Sequence, residues 1–393
     1  MTSTAVNQQS RENPAQTVKL AFPFLDLKAQ FATIREEVMA AVTSVLESQQ
    51  FILGPEVNQL EDEITAKLEA RYAIGCASGT DALILSLMAA EIGPGDEVIT
   101  TPFSFIATAG SIVQVGAKPV FVDIEAVSFN LDPQKIEAAI TPKTRAIMPV
   151  HLFGLPADMN PILAIAKERK LLVIEDAAQA IGSRYKGKYA GTLGDFGCFS
   201  FFPSKNLGAA GDGGIITTND PALAERLRMI RMHGSKEKYF HEVQGINSRL
   251  DALQAAILRV KLRYLDAWAK GRTSRADRYR RLFEEKHLTR LVNYPAAPPS
   301  SFTHVYNQFT IRAQRRDELR EFLTQAGIPS EIYYPLCLHL QKAFSFLGYR
   351  AGQMPVAEKA SKEVLSVPVF PELTDEQQDT VVCGIENFYL RRK

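Results

Sequence analysis

The sequence has few cysteines and lacks both metal-binding cysteine spacing and long apolar runs. Its four cysteines, Cys76, Cys198, Cys337 and Cys383, lie far apart and form no CxxC pair. This spacing argues against a disulfide framework and against a zinc site, so we expect reduced cysteines and no bound metal. No apolar run reaches the roughly 20 residues that a transmembrane helix requires. We therefore expect no membrane partner.

The chain also lacks an apolar signal segment and an excess of charge of either sign. Its start, MTSTAVNQQSRENPAQT, is polar and contains no apolar core of a secretory signal. We expect residues 1–20 to be a disordered leader and the protein to be cytoplasmic. With 45 basic and 44 acidic residues, the formal net charge is +1. Because this charge gives no general attraction for nucleic acid, any anion site must be local.

Length and pattern predict an α/β protein with two domains. A chain of 393 residues is too long for one compact core. From about residue 70, short apolar runs alternate with helical patterns, which predicts a largely parallel sheet covered on both faces. The predicted strands are Tyr72–Cys76, EVITT, KPVFVDI, TRAIMPV and LLVIED, and the predicted helices are Thr80 to about Ile92, Ala107–Val115 and Pro161–Lys170.

The pattern changes after Glu175. CFSFF and GGIITT follow with little helix between them, so we expect part of the sheet to be antiparallel or to cross over differently. A helical stretch over residues 249–283 resembles a long connector, and the Pro- and Ser-rich NYPAAPPSSF (293–302) follows it. The remaining α+β pattern consists of NQFTIRA, RDELREFLTQAG, PSEIYY and a last helix from Asp375. We predict a large domain over 21–265 and a small one over 266–393.

One lysine and one carboxylate follow predicted strands. Lys205 precedes a glycine-rich segment, a position that suits covalent attachment to a carbonyl, although a lysine there is usually solvated surface. Asp176 ends LLVIED, where a carboxylate often caps the next helix. As a pair they fit pyridoxal phosphate, because a carboxylate beside the ring nitrogen keeps it protonated and lets the ring accept electrons. Gln179 can support this site.

A phosphate cradle is predicted where a strand meets the helix that begins near Thr80. Ser78, Gly79 and Thr80 lie at the start of that helix, and helix N-termini present free N–H groups to phosphates. Ser78 or Thr80 can also cap the helix without any ligand. Ser200 offers another hydroxyl. Phe105, just after a strand, is either a core side chain or an aromatic ring for stacking on the cofactor.

The segment GINSRLDALQAAI begins a helical pattern with two polar residues, Asn247 and Arg249. Asn247 can be a helix cap and Arg249 can face the solvent. In a symmetric dimer, however, such a segment can also reach the active site of the partner.

These motifs together resemble the DegT/DnrJ/EryC1/StrS family of sugar aminotransferases, which are fold-type I pyridoxal phosphate enzymes. The resemblance implies a mostly parallel seven-stranded sheet between helices, plus a smaller C-terminal α+β domain. It covers nearly the whole chain in the expected order, through PFLDLKAQ (23–30), FILGPEV (51–57), SGTDAL, GPGDEVITTPFSFIATA, VHLFG (150–154), IEDAAQA, SFFPSKNLGAAGDGG, HGSKEKY (233–239), GINSRLDALQAAI and SVPVFPELT.

The resemblance also implies a role for each candidate residue. Lys205 is the Schiff-base lysine that later shuttles the proton, and Asp176 pairs with the ring nitrogen. Phe105 stacks on the ring, and Gln179 contacts the cofactor. The residues implied in phosphate binding are Gly79, Thr80, Ser200 and, from the neighbouring subunit of a homodimer, Asn247.

The family transfers the amino group of L-glutamate to nucleotide-linked keto sugars. A lysine at position 205 favours transamination over dehydration, because one branch of the family has histidine there and acts as a dehydratase. The segment from HGSKEKY to GINSR resembles members that act at C3 of dTDP- or UDP-3-keto-hexoses. Arg249 and His339 are the predicted sugar contacts, although a buried structural histidine is an equal alternative. A 4-keto substrate, a dehydratase or lyase on the same scaffold, and a non-catalytic regulatory role also remain open.

Overall fold

The computed structural model describes residues 20–391, so the predicted leader lies outside the described residues except for Leu20. The helices are α1 (Leu27–Ser48), α2 (Pro55–Leu68), α3 (Gly79–Ala89), α4 (Ala107–Gln114), α5 (Met159–Arg169), α6 (Pro221–Ile230), α7 (Ala252–Leu262), α8 (Leu265–Glu285), α9 (Arg316–Gln325), α10 (Pro355–Glu363) and α11 (Asp375–Leu390). The strands are β1 (Tyr72–Cys76), β2 (Glu97–Thr100), β3 (Lys118–Phe121), β4 (Thr144–Met148), β5 (Leu172–Asp176), β6 (Arg184–Tyr185), β7 (Lys188–Tyr189), β8 (Phe196–Ser200), β9 (Gly214–Thr218), β10 (Ser235–Glu237), β11 (Phe240–His241), β12 (Val292–Asn293), β13 (Phe302–Thr303), β14 (Phe309–Ala313) and β15 (Val364–Val367).

A seven-stranded sheet in the order β1-β9-β8-β5-β4-β2-β3 forms the centre of the protein. All neighbouring strands are parallel except β9, which is antiparallel to both β1 and β8. The predicted, mostly parallel seven-stranded sheet is therefore confirmed. The change of pattern after Glu175 corresponds to β9.

Helices cover both faces of this sheet, because alternate strand residues point to opposite sides. On one face, Ile74 and Ile216 pack with α3, α4 and α6. On the other face, Ala73 and Ile215 pack with α2 and α7, and α5 covers the sheet farther along. Burial on both faces explains why these strands are almost continuously apolar in sequence.

The strand order brings chemically useful segments to one edge of the sheet. The carboxyl ends of parallel strands lie at the same edge, where α/β proteins commonly bind ligands. There β5 ends at Asp176, and the neighbouring β8 ends at Ser200, just before the loop that carries Lys205. The segment after β2 carries Phe105, and the junction between β1 and α3 carries Gly79. The fold therefore gathers these residues from four separate parts of the chain.

The predicted long connector over 249–283 is wrong as one continuous helix. Helices α7 and α8 are separate, and the break falls at Arg263 and Tyr264. The reason is packing: α7 contributes Ala255 and Leu258 to the core under the sheet, whereas the later part of α8 contributes Tyr279 and Phe283 to a second core. The chain turns between the two helices to reach both cores.

This second core lies in the C-terminal part and is built by α8, α9, α11, β14 and β15. Strands β12, β14 and β15 form an antiparallel sheet within it. Phe22, near the start of the described chain, also packs into this core. The division into domains at residues 265 and 266 stays a prediction.

One C-terminal segment differs from its sequence prediction. PSEIYY is not a strand; within it only Glu331 forms an isolated bridge, with Ser366. The end of NYPAAPPSSF begins β13, where Phe302 pairs with Tyr185 of β6 and the two ring centroids lie 4.8 Å apart in an edge-on arrangement. None of the helices in the described part of the chain has the length and apolar character to cross a membrane.

Candidate active site

Asp176 lies in a buried position at the end of β5, with only 5% of its surface exposed. Its Oδ2 accepts a hydrogen bond of 2.7 Å from the Thr108 hydroxyl on α4, and its Oδ1 accepts the N–H of Ala178 at 3.3 Å. Burial raises the pKa of this carboxyl above its ordinary value, while the hydrogen bonds and the nearby Lys205 oppose that rise. A carboxylate so placed favours a cationic or N–H donor partner.

The preceding residue, Glu175, points to the other side of the strand and is fully buried. Its carboxylate accepts the backbone N–H groups of Gly191, Leu193 and Gly194 at 2.7–2.8 Å, and His151 Nε2 lies 2.8 Å from it. Because Nδ1 of His151 accepts a hydrogen bond from the N–H of Ala157, the ring proton is on Nε2, which donates a hydrogen bond to Glu175. This network fixes the end of β5 and thereby the position of Asp176.

Lys205 lies on a tight loop between β8 and β9. The loop is closed by backbone hydrogen bonds, including Ala209 N–H to the Phe201 carbonyl at 2.7 Å. Gly208 approaches Pro203 so closely that a Cβ would lie 2.3 Å from the proline carbonyl oxygen. Burial lowers the pKa of the Lys205 amine to about 8, and Asp176 partly opposes this shift. A lysine with this pKa is partly neutral near physiological pH and can act as a nucleophile.

The predicted phosphate cradle comes together at the start of α3. Ser78 is the N-cap, and its side chain accepts the N–H of Asp81 at 3.0 Å. The N–H groups of Gly79 and Thr80 belong to the first turn, where a helix has no internal acceptors. A Cβ on Gly79 would lie 2.5 Å from Cβ of Ser200, so only glycine fits beside that serine. The site combines helix N–H groups and a hydroxyl, which suits a phosphate.

Gln179 and Phe105 both lie next to Tyr334. Gln179 Oε1 accepts the N–H of Phe153 at 2.6 Å, and its Nε2 donates to the Tyr334 hydroxyl at 3.2 Å. The ring of Phe105 is 6.4 Å from that of Tyr334. Phe105 is 56% exposed and therefore has a free surface for an aromatic ligand, unlike the core side chain that the sequence left as an alternative.

Asn247 and Arg249 line a cavity of about 350 Å³ together with Ala77 and Asp212. The intervening Ser248 is fully buried; it accepts the N–H of Ala77 at 3.1 Å and donates to Asp81 at 2.7 Å. The segment 247–249 is thus attached to the β1–α3 junction that forms the cradle. No side-chain cap by Asn247 is present, since α7 begins only at Ala252.

The structure does not bring His339 to this group of residues. Its side chain is buried, its Nε2 lies 3.1 Å from Glu358, and its ring contacts those of Phe121 and Tyr349. With 2% of its surface exposed, His339 presents no surface to a ligand. The assignment of His339 as a sugar contact therefore has no support here, and the alternative of a buried structural histidine agrees with its placement.

Sequence reasoning did not single out Thr108 or Tyr334. Thr108 lies three residues after Phe105, and its position shortly after β2 is the one sequence feature that points to it. Tyr334 lies in a segment that was expected to be a strand. The described residues contain no group of three or more His, Cys, Asp or Glu side chains placed to hold a metal ion.

Comparisons with known proteins give one consistent family. The model of the DegT/DnrJ/EryC1/StrS aminotransferase family matches residues 32–386. A Geobacillus stearothermophilus protein described as a pleiotropic regulatory protein is 56% identical over 367 residues, covering 93% of this chain and 98% of that protein. An Acidithiobacillus ferrooxidans protein described as UDP-N-acetyl-3-dehydro-alpha-D-glucosamine 3-aminotransferase is 48% identical over 361 residues, covering 92% and 96%. Among solved structures, DesV of S. venezuelae in complex with a ketimine intermediate has a TM-score of 0.91 and 42% identity, covering 96% of this chain and 100% of DesV.

Proposed function

Because the chain belongs to the DegT/DnrJ/EryC1/StrS aminotransferase family, we propose that it moves the amino group of L-glutamate to C3 of a nucleotide-linked keto sugar. The protein is a pyridoxal phosphate-dependent aminotransferase. The observation that carries the proposal is the convergence of Lys205, Asp176 and the Gly79–Ser200 cradle at one edge of the sheet. The name of the Acidithiobacillus relative supports position C3 and a UDP-linked substrate.

The residues at this edge fit the cofactor. In the proposal, the N–H groups of Gly79 and Thr80 and the hydroxyl of Ser200 hold its phosphate, and the missing side chain of Gly79 lets Ser200 lie beside the start of α3. Asp176 pairs with the ring nitrogen, Phe105 stacks on the ring, and Gln179 contacts it from the position fixed by Phe153. The bound cofactor supplies a ring that accepts the electrons released when the substrate loses its α-proton.

The chain itself supplies attachment, orientation and proton transfer. Lys205 holds the cofactor covalently through its neutral amine, which burial makes available near pH 8. When not bound to the cofactor, the Lys205 amine would serve as the base that takes the proton from the α-carbon of glutamate. The hydrogen bonds from Thr108 and Ala178 oppose the effect of burial on Asp176 and favour its ionised form. The same residues return the proton in the second half-reaction, in which the keto sugar is aminated.

A cytoplasmic homodimer with shared active sites is part of this proposal. Asn247 then acts at the phosphate of the neighbouring subunit, and Arg249 contacts the sugar nucleotide from the same segment. The position of both residues at the cavity beside the β1–α3 junction supports the shared active site. The four free cysteines support the cytoplasmic location.

The proposed function is tested by incubating the purified protein with L-glutamate and a panel of UDP- and dTDP-linked 3-keto and 4-keto sugars. We expect 2-oxoglutarate to form together with a 3-amino sugar, identified by mass and NMR. The Lys205→Ala variant should form neither product. Amination of only 4-keto sugars would contradict the assignment to C3, and a dehydrated sugar without glutamate consumption would contradict amino transfer.

A regulatory role is the second candidate, because the Geobacillus relative is described as a regulatory protein. The retained Lys205 and Asp176 pair favours catalysis, since a purely regulatory protein needs neither a low-pKa amine nor a buried carboxylate. The same panel separates the two candidates. If the protein binds the cofactor but forms no 2-oxoglutarate from glutamate with any sugar of the panel, the regulatory role is favoured.

A further inference from the structure

Two buried hydroxyl groups form a line that ends on Asp176. The Thr108 hydroxyl is 2.7 Å from Oδ2 of Asp176, and the Ser104 hydroxyl is 2.8 Å from that of Thr108. Thr108 is fully buried and Ser104 nearly so. A threonine inside a helix often bonds to the carbonyl one turn earlier. Thr108 instead directs its hydroxyl out of α4 and onto the carboxylate.

The Thr108 hydroxyl donates its proton to Oδ2 of Asp176. A hydroxyl has only one proton to donate, so the Thr108 oxygen accepts from the Ser104 hydroxyl. Hydrogen bonds to an ionised acceptor are stronger than neutral ones. Thr108 therefore favours the ionised form of a carboxyl whose pKa burial raises.

The two oxygen atoms of Asp176 have unequal partners. Oδ2 is held by Thr108, whereas the longer bond from the Ala178 N–H is the only one to Oδ1 among residues 20–391. The titratable groups that face Asp176 include Lys205, His151, Tyr334 and, on the neighbouring strand, Cys198. His151 donates to Glu175, and the Tyr334 hydroxyl interacts with Gln179. Oδ1 therefore keeps the capacity to accept a further donor.

We propose that Thr108 is a positioning residue for the aminotransferase reaction, which holds Oδ2 of Asp176 and presents Oδ1 to the pyridine nitrogen of the cofactor. Thr108 lies three residues after Phe105, so one short segment carries both the proposed stacking ring and the group that orients the carboxylate. The inference rests on the proposed function. It adds to that function a residue that does not touch the cofactor.

The test compares Thr108→Val, which removes the hydroxyl, with Thr108→Ser, which keeps it. Both variants are prepared with cofactor labelled at the ring nitrogen, and its NMR chemical shift reports protonation. We expect Thr108→Val to move the shift toward the unprotonated value and to slow the glutamate half-reaction at least about tenfold, the scale of one lost charge-assisted hydrogen bond. Thr108→Ser should show the chemical shift and the half-reaction rate of the wild type.

Ser111→Ala is the matched control. Ser111 is also fully buried on α4, but within the described part of the chain its hydroxyl bonds only to the Thr108 carbonyl. This variant should keep the ring-nitrogen shift of the wild type, which separates an effect on Asp176 from a general weakening of the helix. If Thr108→Val does not fold, Ser104→Ala replaces it. This change keeps the Thr108 hydroxyl and removes the Ser104 hydroxyl that donates to it. It should give a smaller shift in the same direction.

A wild-type ring-nitrogen shift in Thr108→Val, or in Ser104→Ala when that variant replaces it, would overturn the proposal. So would a failure of Thr108→Ser to restore the shift. These outcomes are distinct from failure of the proposed function, which would appear as wild-type protein that aminates no sugar of the panel. The NMR comparison needs only the bound cofactor and therefore remains decisive in that case.

Discussion

At the scale of single residues, the environment of Lys205 makes a prediction about pH. Burial disfavours the ammonium form and lowers the pKa to about 8 from an ordinary value of 10.5. In cofactor-free protein, the reactivity of Lys205 toward a small aldehyde should therefore rise as the pH increases through about 8. The measurement is reductive alkylation at a series of pH values, with peptide mass mapping to follow Lys205.

Exposed lysines in the same peptide maps serve as the internal comparison. The Asp176→Asn variant should react at still lower pH, because the Asp176 carboxylate raises the Lys205 pKa and its removal lowers it. A Lys205 profile centred near 10.5 would contradict the account of its burial. Between about 8 and 10.5 the unfolded chain holds more protons at this lysine than the folded one, so this group's contribution to stability rises with pH in that window.

The residue scale also shows where sequence reasoning reaches its limit. Lys205, Asp176 and Gly79 were found because each has a characteristic position after a strand. Thr108 was not, because its role depends on the angle at which α4 meets β5, and no sequence pattern specifies that angle. His339 was assigned from its neighbourhood in sequence, but the packing of Phe121 and Tyr349 buries it.

At the scale of elements, the junction of α3 with β8 depends on one glycine. In Gly79→Ala, the new Cβ would lie 2.5 Å from Cβ and 3.0 Å from Cα of Ser200, so the backbone must shift. We expect a loss of about 1–3 kcal/mol in the free energy of unfolding, the usual cost of overpacking, and weaker cofactor binding. Urea unfolding and a cofactor titration measure the two effects.

Gly110→Ala provides the matched control for this variant. Gly110 also lies in a helix near the site, but a Cβ there would meet no atom within 4 Å. This change should be neutral or slightly stabilising, because alanine has the higher helix propensity. Equal destabilisation by both variants would mean that close contact with Ser200 is not what requires glycine at position 79.

Predictions of elements succeeded where one pattern decided the structure. The apolar strands of the central sheet follow from β-branched runs between helical segments, and their burial on both faces makes the signal strong. PSEIYY failed because its strand-like composition reflects other contacts: Tyr334 meets the rings of Phe103 and Phe105. The break between α7 and α8 was missed because it is set by two separate cores rather than by a local stop signal.

At the scale of the whole molecule, the C-terminal part is attached to the loop that carries Lys205. Asn206, the next residue, donates to the Val305 carbonyl and accepts from Asn307 Nδ2, both at 2.8 Å. Val305 and Asn307 also bond to Gly154 and Phe153 through their backbone N–H groups. Buried Arg272 on α8 donates to the carbonyl of Tyr306, which lies between Val305 and Asn307, and thereby also holds these three residues in place.

This attachment predicts a long-range effect of Asn307→Ala. The change leaves the buried Oδ1 of Asn206 without its donor, at a cost of about 1–3 kcal/mol. We expect the lower end of that range, because Oδ1 of Asn307 itself has no partner among residues 20–391. Cofactor dissociation should become faster, and absorbance after dilution measures it. Asn293→Ala, at an exposed position, should match the wild type; equal rates in both variants would contradict the attachment.

The central claim is that Lys205 is the residue that carries pyridoxal phosphate. It is tested most directly by reducing the cofactor-loaded protein with borohydride, which makes the link to the cofactor permanent, and then mapping its peptides by mass. The account predicts one modified peptide, with the added mass on Lys205. A modification on any other lysine, or none in protein that retains the cofactor, would contradict it.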